Sequence, residues 1–121
     1  EKVDESEAYW EEVQSWYDDV TNNKTVVTVI GSSTCPHCQE YKPVITSLAE
    51  EKNFIVYFFE SDKLNNEQYN ILSSTYELEN YEGYVPYTFV ISNNKFVKDT
   101  TGFESKDATI KFLKEVKVIN K

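Results

Sequence analysis

The stretch that decides the fold runs from residue 26 to residue 38 and reads VVTVIGSSTCPHC. It opens with apolar and β-branched residues that do not alternate with polar ones, which is typical of a strand buried on both faces. A polar segment, 31–34, then leads to two cysteines three positions apart. The stretch therefore predicts a buried strand that delivers Cys35 and Cys38 to the start of a helix. Pro36 fits the first helical turn, where its missing N–H costs nothing.

Helical and extended patterns alternate on both sides of this stretch. Apolar spacing and turn residues predict helices over about 5–20, 35–52, 65–76 and from 105 onward, and strands over about 26–30, 54–59, 87–91 and 95–99. Strands separated by helices imply parallel crossovers, whereas a hairpin around Asn93-Asn94 adds an antiparallel pair. The predicted fold class is α/β, with a mixed central sheet flanked by helices.

Length and charge narrow the classes of function. The chain has 121 residues, of which 40% are hydrophobic, so we expect a single domain over 1–121 with one core. Its net charge of −9 argues against nucleic acid or an anionic membrane surface as a partner. The first 19 residues carry much of that charge, and they predict either a solvated helix face or a docking surface for a basic peptide.

The two cysteines carry the candidate chemistry. At a helix N-terminus, unpaired N–H groups and the dipole stabilise negative charge, so we expect Cys35 to have a lowered pKa and to be the attacking thiolate. Cys38, one turn inside, is expected to be the buried resolving thiol. His37, as a cation or N–H donor, is expected to stabilise the Cys35 thiolate further. This would make the disulfide a stronger oxidant.

Two other interpretations of the cysteine pair are weaker. A structural zinc site needs about four ligands, and the sequence offers two Cys and the single His37. An inert disulfide that closes so short a loop would remove little chain entropy. We therefore expect redox chemistry without a metal or another cofactor.

Four landmarks make the chain similar to the thioredoxin superfamily over nearly its whole length. They are the redox motif after a buried strand, Pro43 soon after the second cysteine, Val85-Pro86 before the hairpin, and Gly102 before the last helix. In that family the second of these prolines is cis and faces the disulfide. The resemblance therefore implies a thioredoxin fold, with Pro86 in the catalytic site and Val85 in contact with substrate.

Finer features resemble one branch of the superfamily. The Pro-His pair between the cysteines and the Val before Pro86 resemble DsbA-type thiol oxidases. However, the segment between Cys38 and Pro86 is too short for the helical domain that those oxidases insert. The closest resemblance is to the small thioredoxin-like bacteriocin transport accessory proteins of Gram-positive bacteria. It implies a protein that helps to form disulfides in secreted peptides.

The sequence departs from thioredoxins near the second cysteine. The buried acid that precedes the first cysteine in that family is Val29 here. Glu60 aligns with the family's buried lysine, and it is expected either to take over as proton acceptor for Cys38 or to be a strand-end carboxylate facing water. Several tyrosines crowd the expected cis-proline. Of these, Tyr84 and Tyr87 are the expected substrate-binding rim, with core packing as the alternative.

The leading hypothesis is a monomeric thiol–disulfide oxidase. It would donate a Cys35–Cys38 disulfide to a cysteine-containing peptide or protein, and a redox partner would recycle it. Because the sequence contains no Met, we expect a processed or trimmed form. The oxidase hypothesis places the protein outside the cytoplasm, with a signal or anchor removed from this chain. Two alternatives stay open, a cytoplasmic thioredoxin-like reductase and a non-catalytic escort that brings a peptide to a transporter.

Overall fold

The computed structural model describes residues 5–78 and 80–119. Its helices are α1 (Trp10–Thr21), α2 (Pro36–Lys52), α3 (Asn66–Ser74) and α4 (Lys106–Glu115), and its strands are β1 (Val26–Gly31), β2 (Ile55–Glu60), β3 (Tyr87–Ser92) and β4 (Lys95–Thr101). A 3₁₀ turn over Glu5–Tyr9 opens the predicted first helix, and another over Ser61–Lys63 follows β2. None of the helices in the described ranges is both long and apolar enough to cross a membrane.

The four strands form one mixed sheet in the order β2-β1-β3-β4. Strand β1 is parallel to β2 and antiparallel to β3, while β4 is antiparallel to β3. The buried stretch before the cysteines is therefore an inner strand that is paired along both edges. Its register places Gly31 opposite Glu60, at the end of the sheet where the redox motif begins.

Helices cover both faces of the sheet. Because successive side chains of a strand point to opposite faces, Val27 and Val29 pack in one core with residues of α2 and α4. Val26 and Ile30 pack in a second core with residues of α1 and α3. Burial on both faces explains why this strand is a continuous apolar run. The predicted α/β fold with a mixed sheet between helices is confirmed.

Each of the two cores contains one buried polar pair. On the α1 side, Trp16 Nε1 donates a hydrogen bond of 2.8 Å to Thr28 Oγ1. On the α2 side, the hydroxyls of Tyr41 and Thr88 lie 2.8 Å apart. Buried polar groups need such partners to offset their lost hydration. The two pairs therefore fix α1 and α2 against the sheet in a defined position.

Asparagines with left-handed backbone make two of the turns. Asn93 and Asn94 have φ angles of 55° and 63°, which confirms the predicted tight turn between β3 and β4. Asn53, with φ 61°, follows the end of α2 and turns the chain toward β2.

Candidate active site

Helix α2 begins at the redox motif. Cys35 is its N-cap residue, with extended backbone angles, and Pro36 opens the first turn. The Cys35 sulfur accepts a hydrogen bond of 3.4 Å from the backbone N–H of Cys38. Cys35 Sγ therefore lies at the positive end of the helix, where a thiolate is stabilised by unpaired N–H groups and by the dipole.

The pKa of the Cys35 thiol is lowered. The largest cause is a hydrogen bond from the Cys38 side chain, and the backbone N–H groups of Cys38 and His37 act in the same direction, while partial burial opposes them. Both cysteines are free thiols in this structure. Since the thiolate is the reactive form of cysteine, Cys35 is the nucleophile of the pair.

Cys38 has the opposite environment. Its side chain is fully buried, and desolvation raises its pKa to about 12. The hydrogen bond to Cys35 and the negative charges of Cys35 and Glu60 also raise the pKa of Cys38, while a backbone hydrogen bond at Ser32 lowers it. Cys38 is thus held as a neutral thiol beside a thiolate.

A glycine makes the space for the buried sulfur. A Cβ atom on Gly31 would lie 2.9 Å from two ring carbons of Phe58 and 3.3 Å from Cys38 Sγ. Any larger side chain would have to displace the ring or the sulfur from a close-packed core. The sequence pattern assigned Gly31 to the polar loop, whereas it is the last residue of β1.

The segment before β3 faces Cys35. The peptide bond between Val85 and Pro86 is cis, and the Val85 carbonyl lies 3.9 Å from Cys35 Sγ. On the other side, the Gly102 N–H donates a 2.7 Å hydrogen bond to the Pro86 carbonyl. The structure thus brings together Cys35 and the two residues that the resemblance assigned to the substrate side of the site.

Glu60 lies beside the buried cysteine rather than in open water. It is 9% exposed at the end of β2, and its charge contributes to the raised pKa of Cys38. One carboxylate oxygen, Oε2, lies 3.8 Å from Lys42 Nζ, and the other, Oε1, lies 3.6 Å from Lys63 Nζ. The pairing with Lys42 was not predicted, although Lys42 follows Cys38 by four residues and so lies on the same side of α2.

These features agree with the family comparison. The thioredoxin family profile matches residues 7–115. The chain belongs to the thioredoxin family. No curated protein sequence matches the chain significantly.

Thioredoxins of solved structure share the fold at low sequence identity. A mutant thioredoxin from Halobacterium salinarum NRC-1 is 19% identical with a TM-score of 0.65, over 85% of this chain and 83% of that one. Oxidised thioredoxin O2 from Arabidopsis thaliana is 16% identical with a TM-score of 0.66, over 92% and 89%. Schistosoma mansoni thioredoxin is 22% identical with a TM-score of 0.64, over 86% of each chain. At these identities the likeness establishes the fold.

The site performs thiol–disulfide exchange. One cysteine is poised as a thiolate, and the other lies one helical turn away as a buried thiol. As a dithiol, this pair can open a disulfide in another molecule and close into its own disulfide, giving up two electrons; as a disulfide, it can be opened by a dithiol from which it receives two electrons. Together with the family, it defines this thioredoxin-family protein as a thiol–disulfide oxidoreductase.

His37 acts differently from the expectation. Its side chain is 71% exposed, and its Nδ1 lies 3.9 Å from Glu40 Oε1. The effect of His37 on the pKa of Cys35 comes from its backbone N–H rather than its imidazole. Within residues 5–78 and 80–119, no three His, Cys, Asp or Glu side chains come together as metal ligands, so those ranges offer no ligand set for the zinc alternative.

The two rim tyrosines have different positions in the fold. Tyr84 is 68% exposed, next to the Val85 carbonyl, as a substrate contact requires. Tyr87 is fully buried in the α1-side core, and its hydroxyl donates to Asp99. The assignment of Tyr87 to an exposed rim is therefore wrong. As the first residue of β3, it points into the sheet's covered face.

A further carboxylate fixes the loop before Cys35. Asp62 accepts hydrogen bonds from the backbone N–H and from the hydroxyl of Ser33, and these bonds lower its pKa. The Gln39 side chain donates to the carbonyls of Ser32 at 3.3 Å and Ser33 at 3.1 Å. The loop is thus tied to the turn after β2 and to α2. No local sequence pattern pointed to Asp62, because its partner Ser33 lies in a loop that is distant along the chain.

Proposed function

We propose that this protein is a thiol–disulfide oxidase that donates a Cys35–Cys38 disulfide to cysteine-containing peptides or proteins. The observation that carries the proposal is the contrast between the two thiols, a lowered pKa at Cys35 and a raised one at Cys38. Stabilising the Cys35 thiolate stabilises the dithiol form. The equilibrium then favours reduction of the enzyme, which makes its disulfide an oxidant.

The reaction proceeds by two exchanges. A substrate thiolate attacks Cys35 Sγ of the enzyme disulfide, the S–S electron pair moves to Cys38 Sγ, and Cys38 takes up a proton. A second substrate thiolate then attacks the substrate sulfur of the mixed disulfide and expels Cys35 as a thiolate. The substrate dithiol becomes a disulfide, and its two electrons remain in the Cys35–Cys38 dithiol. Reoxidation needs a redox partner whose own disulfide accepts those electrons.

The lowered pKa of Cys35 and the raised pKa of Cys38 determine how each thiol leaves in its own exchange step. Cys35, with its lowered pKa, is a good leaving group in the step that releases the oxidised substrate. Cys38, with a pKa of about 12, leaves well only if it is protonated as the bond breaks. Glu60 is the carboxylate whose charge acts on Cys38, and we assign it the proton transfer in both directions.

The substrate chain would lie along the segment before β3. The Val85 carbonyl beside Cys35 can accept a backbone N–H from an extended chain, as in strand addition. Tyr84 offers an exposed aromatic face next to it. A binding site of this kind recognises the backbone of the substrate and an apolar side chain next to its cysteine. It therefore suits an unfolded peptide that carries cysteines.

The location and client class are proposed from the motif. The Pro-His pair between the cysteines resembles DsbA-type oxidases, and the small size resembles bacteriocin transport accessory proteins. Both support action outside the cytoplasm on secreted peptides. Fractionation of cells that express the full gene, followed by immunodetection, tests the location. Recovery of the protein in the cytoplasm alone would overturn it.

The His37 geometry favours a second candidate, a cytoplasmic reductase. The exposed imidazole contributes no contact that would favour the thiolate, and Glu40 lies beside it. A couple that lacks this contribution is less oxidising. The same exchange steps, run in reverse, would then reduce a substrate disulfide.

Redox equilibration with glutathione decides between the two. We expect the protein to be a stronger oxidant than its own variant with Gly-Pro between the cysteines, Pro36→Gly with His37→Pro. Oxidation of a reduced two-cysteine peptide should follow the same order, and Cys35→Ser should abolish it. A wild type that is no more oxidising than the Gly-Pro variant, and that reduces peptide disulfides, overturns the oxidase proposal. Peptide delivery that survives Cys35→Ser would instead support the escort.

A further inference from the structure

A single carboxylate holds both ends of the segment that faces Cys35. Asp99, on β4, accepts hydrogen bonds through Oδ2 from the Asn80 backbone N–H at 3.0 Å and from the Tyr87 hydroxyl at 2.6 Å. Its Oδ1 accepts from Asn80 Nδ2 at 2.9 Å. The Asp99 side chain thus bridges Asn80 and Tyr87 and closes the chain between them into a loop.

The strand register explains how Asp99 reaches both partners. Tyr87 is paired with Thr101 in the ladder between β3 and β4. Asp99 precedes Thr101 by two residues, so its side chain lies on the same face of the sheet as that of Tyr87. The Tyr81 ring packs 4.6 Å from the Tyr87 ring on that face.

The closed segment carries the substrate side of the site. It includes Tyr84, which is exposed, and Val85, whose carbonyl faces Cys35. Between Asn80 and Tyr87 the chain is neither helix nor strand, and Gly83 has a φ angle of +93°. The hydrogen bonds to Asp99, together with the one from the Gly102 N–H to the Pro86 carbonyl, therefore supply rigidity that a ladder would otherwise give.

We infer that Asp99 is a positioning residue for substrate recognition, which fixes the segment 80–87 so that Tyr84 and the Val85 carbonyl are presented to a bound peptide beside Cys35. Asp99 acts through Asn80 and Tyr87, to which its hydrogen bonds go, rather than through a bond to either cysteine. Partial burial raises its pKa, but the hydrogen bonds from Tyr87 and Asn80 outweigh this effect and hold the pKa below its usual range. The side chain is thus a carboxylate, which makes stronger hydrogen bonds than a neutral amide.

The inference predicts a selective loss. In the proposed function a polypeptide binds along the segment 80–87, and a segment that is no longer held in place must be ordered at a cost in binding free energy when the peptide binds. A small disulfide that engages only the cysteine does not use the segment. Loss of the carboxylate should therefore weaken peptide binding without changing the reactivity of Cys35.

The test compares Asp99→Asn with Asp107→Asn, which removes one negative charge from an exposed site on α4. For Asp99→Asn we expect KM for a two-cysteine peptide to rise at least about fivefold, because one acceptor oxygen becomes a donor that faces Asn80. The kcat and the rate with 2-hydroxyethyl disulfide should stay within about twofold of wild type, and the midpoint of the Cys35 thiolate titration should not move. Asp107→Asn should change none of these quantities.

A second variant covers the risk that Asp99→Asn folds poorly. Tyr87→Phe keeps the buried ring and removes only the hydroxyl, and it should raise the peptide KM in the same direction. Combined with Asp99→Asn it should add little, because both changes loosen the same closure of the segment 80–87 through Asp99. An unchanged peptide KM in both variants overturns the inference, as does an equal loss with peptide and small disulfide.

The inference rests on Cys35 exchange chemistry, which the oxidase and the reductase share. The KM comparison can be made with a peptide dithiol or with a peptide disulfide. Failure of the oxidase proposal appears in the wild-type redox equilibrium, whereas failure of this inference appears in the ratio of variant to wild type.

Discussion

Cys35 and Cys38 are the same side chain one helical turn apart, yet their surroundings differ in every respect that governs a thiol. Cys35 is the N-cap of α2, partly exposed, with backbone N–H groups directed at its sulfur. Cys38 is fully buried against Gly31 and Phe58, with the charge of Glu60 nearby. The difference shows that a helix start stabilises a thiolate, while the next turn, inside the core, keeps the thiol protonated.

Replacing each cysteine in turn should give the largest contrast. With Cys35→Ser, exchange with a peptide disulfide should fall to the uncatalysed rate, because the serine hydroxyl is not a nucleophile in this chemistry. With Cys38→Ser, attack should persist and the mixed disulfide on Cys35 should accumulate, because no resolving thiol remains. Mass spectrometry of acid-quenched reactions distinguishes the two. Accumulation of a mixed disulfide on Cys38 in Cys35→Ser would reverse the roles.

Limited alkylation should separate the two thiols of the wild type. The pKa of Cys35 is lowered and that of Cys38 is raised to about 12, so at neutral pH a far larger fraction of Cys35 is thiolate. The lower intrinsic nucleophilicity of the more acidic thiolate offsets only part of this difference, so Cys35 should be labelled at least about tenfold faster. Peptide mapping after brief iodoacetamide treatment at pH 7 measures the ratio. As the pH rises, Cys35 labelling should level off well before that of Cys38. Equal labelling at pH 7 would contradict the comparison.

Glu60→Gln tests whether the carboxylate acts only through its charge. Removing the charge should lower the pKa of Cys38, since Glu60 contributes to raising it. If Glu60 also accepts the Cys38 proton, as we propose, Glu60→Gln should slow the release of a mixed disulfide by attack of Cys38. We expect this step to slow by at least about tenfold, despite the lower pKa of Cys38. Stopped-flow measurement of that release reports the rate, with Glu50→Gln, exposed on α2, as the matched control. Faster release would show that Glu60 acts by charge alone.

His37→Ala should have the smallest effect. The imidazole is exposed and lies beside Glu40, so the Cys35 pKa should rise by no more than about half a unit. For a two-electron couple this corresponds to about 15 mV toward a more reducing protein. Thiolate absorbance titration and glutathione equilibration give both values. A rise above one unit would show that the imidazole reaches the Cys35 sulfur.

The sequence predicted the redox pair and the order of elements, because each depends on neighbouring residues, whereas the segment that faces the pair was implied by the resemblance to the thioredoxin superfamily. The prediction of an exposed Tyr87 was wrong because the sequence does not show which side of the sheet a strand residue faces. Tyr84 and Tyr87 are three positions apart and equally aromatic, but one lies in a loop and the other opens a strand covered by α1 and α3. Lys42 as a partner of Glu60, and the partners of Asp99, had no local signal, because they come from other elements of the fold.

The sequence by itself determined that a buried strand ends at a cysteine pair on a helix start, since apolar runs, helical spacing and a first-turn proline act over a few residues. Only the tertiary structure decided that β1 is an inner strand, that Lys42 of α2 lies beside Glu60, and that Asp99 holds the substrate segment. These features depend on which strands pair and in which register. Such pairing joins residues that are distant in the chain, and when both faces of a sheet are covered, an apolar run does not specify which neighbour each side chain meets.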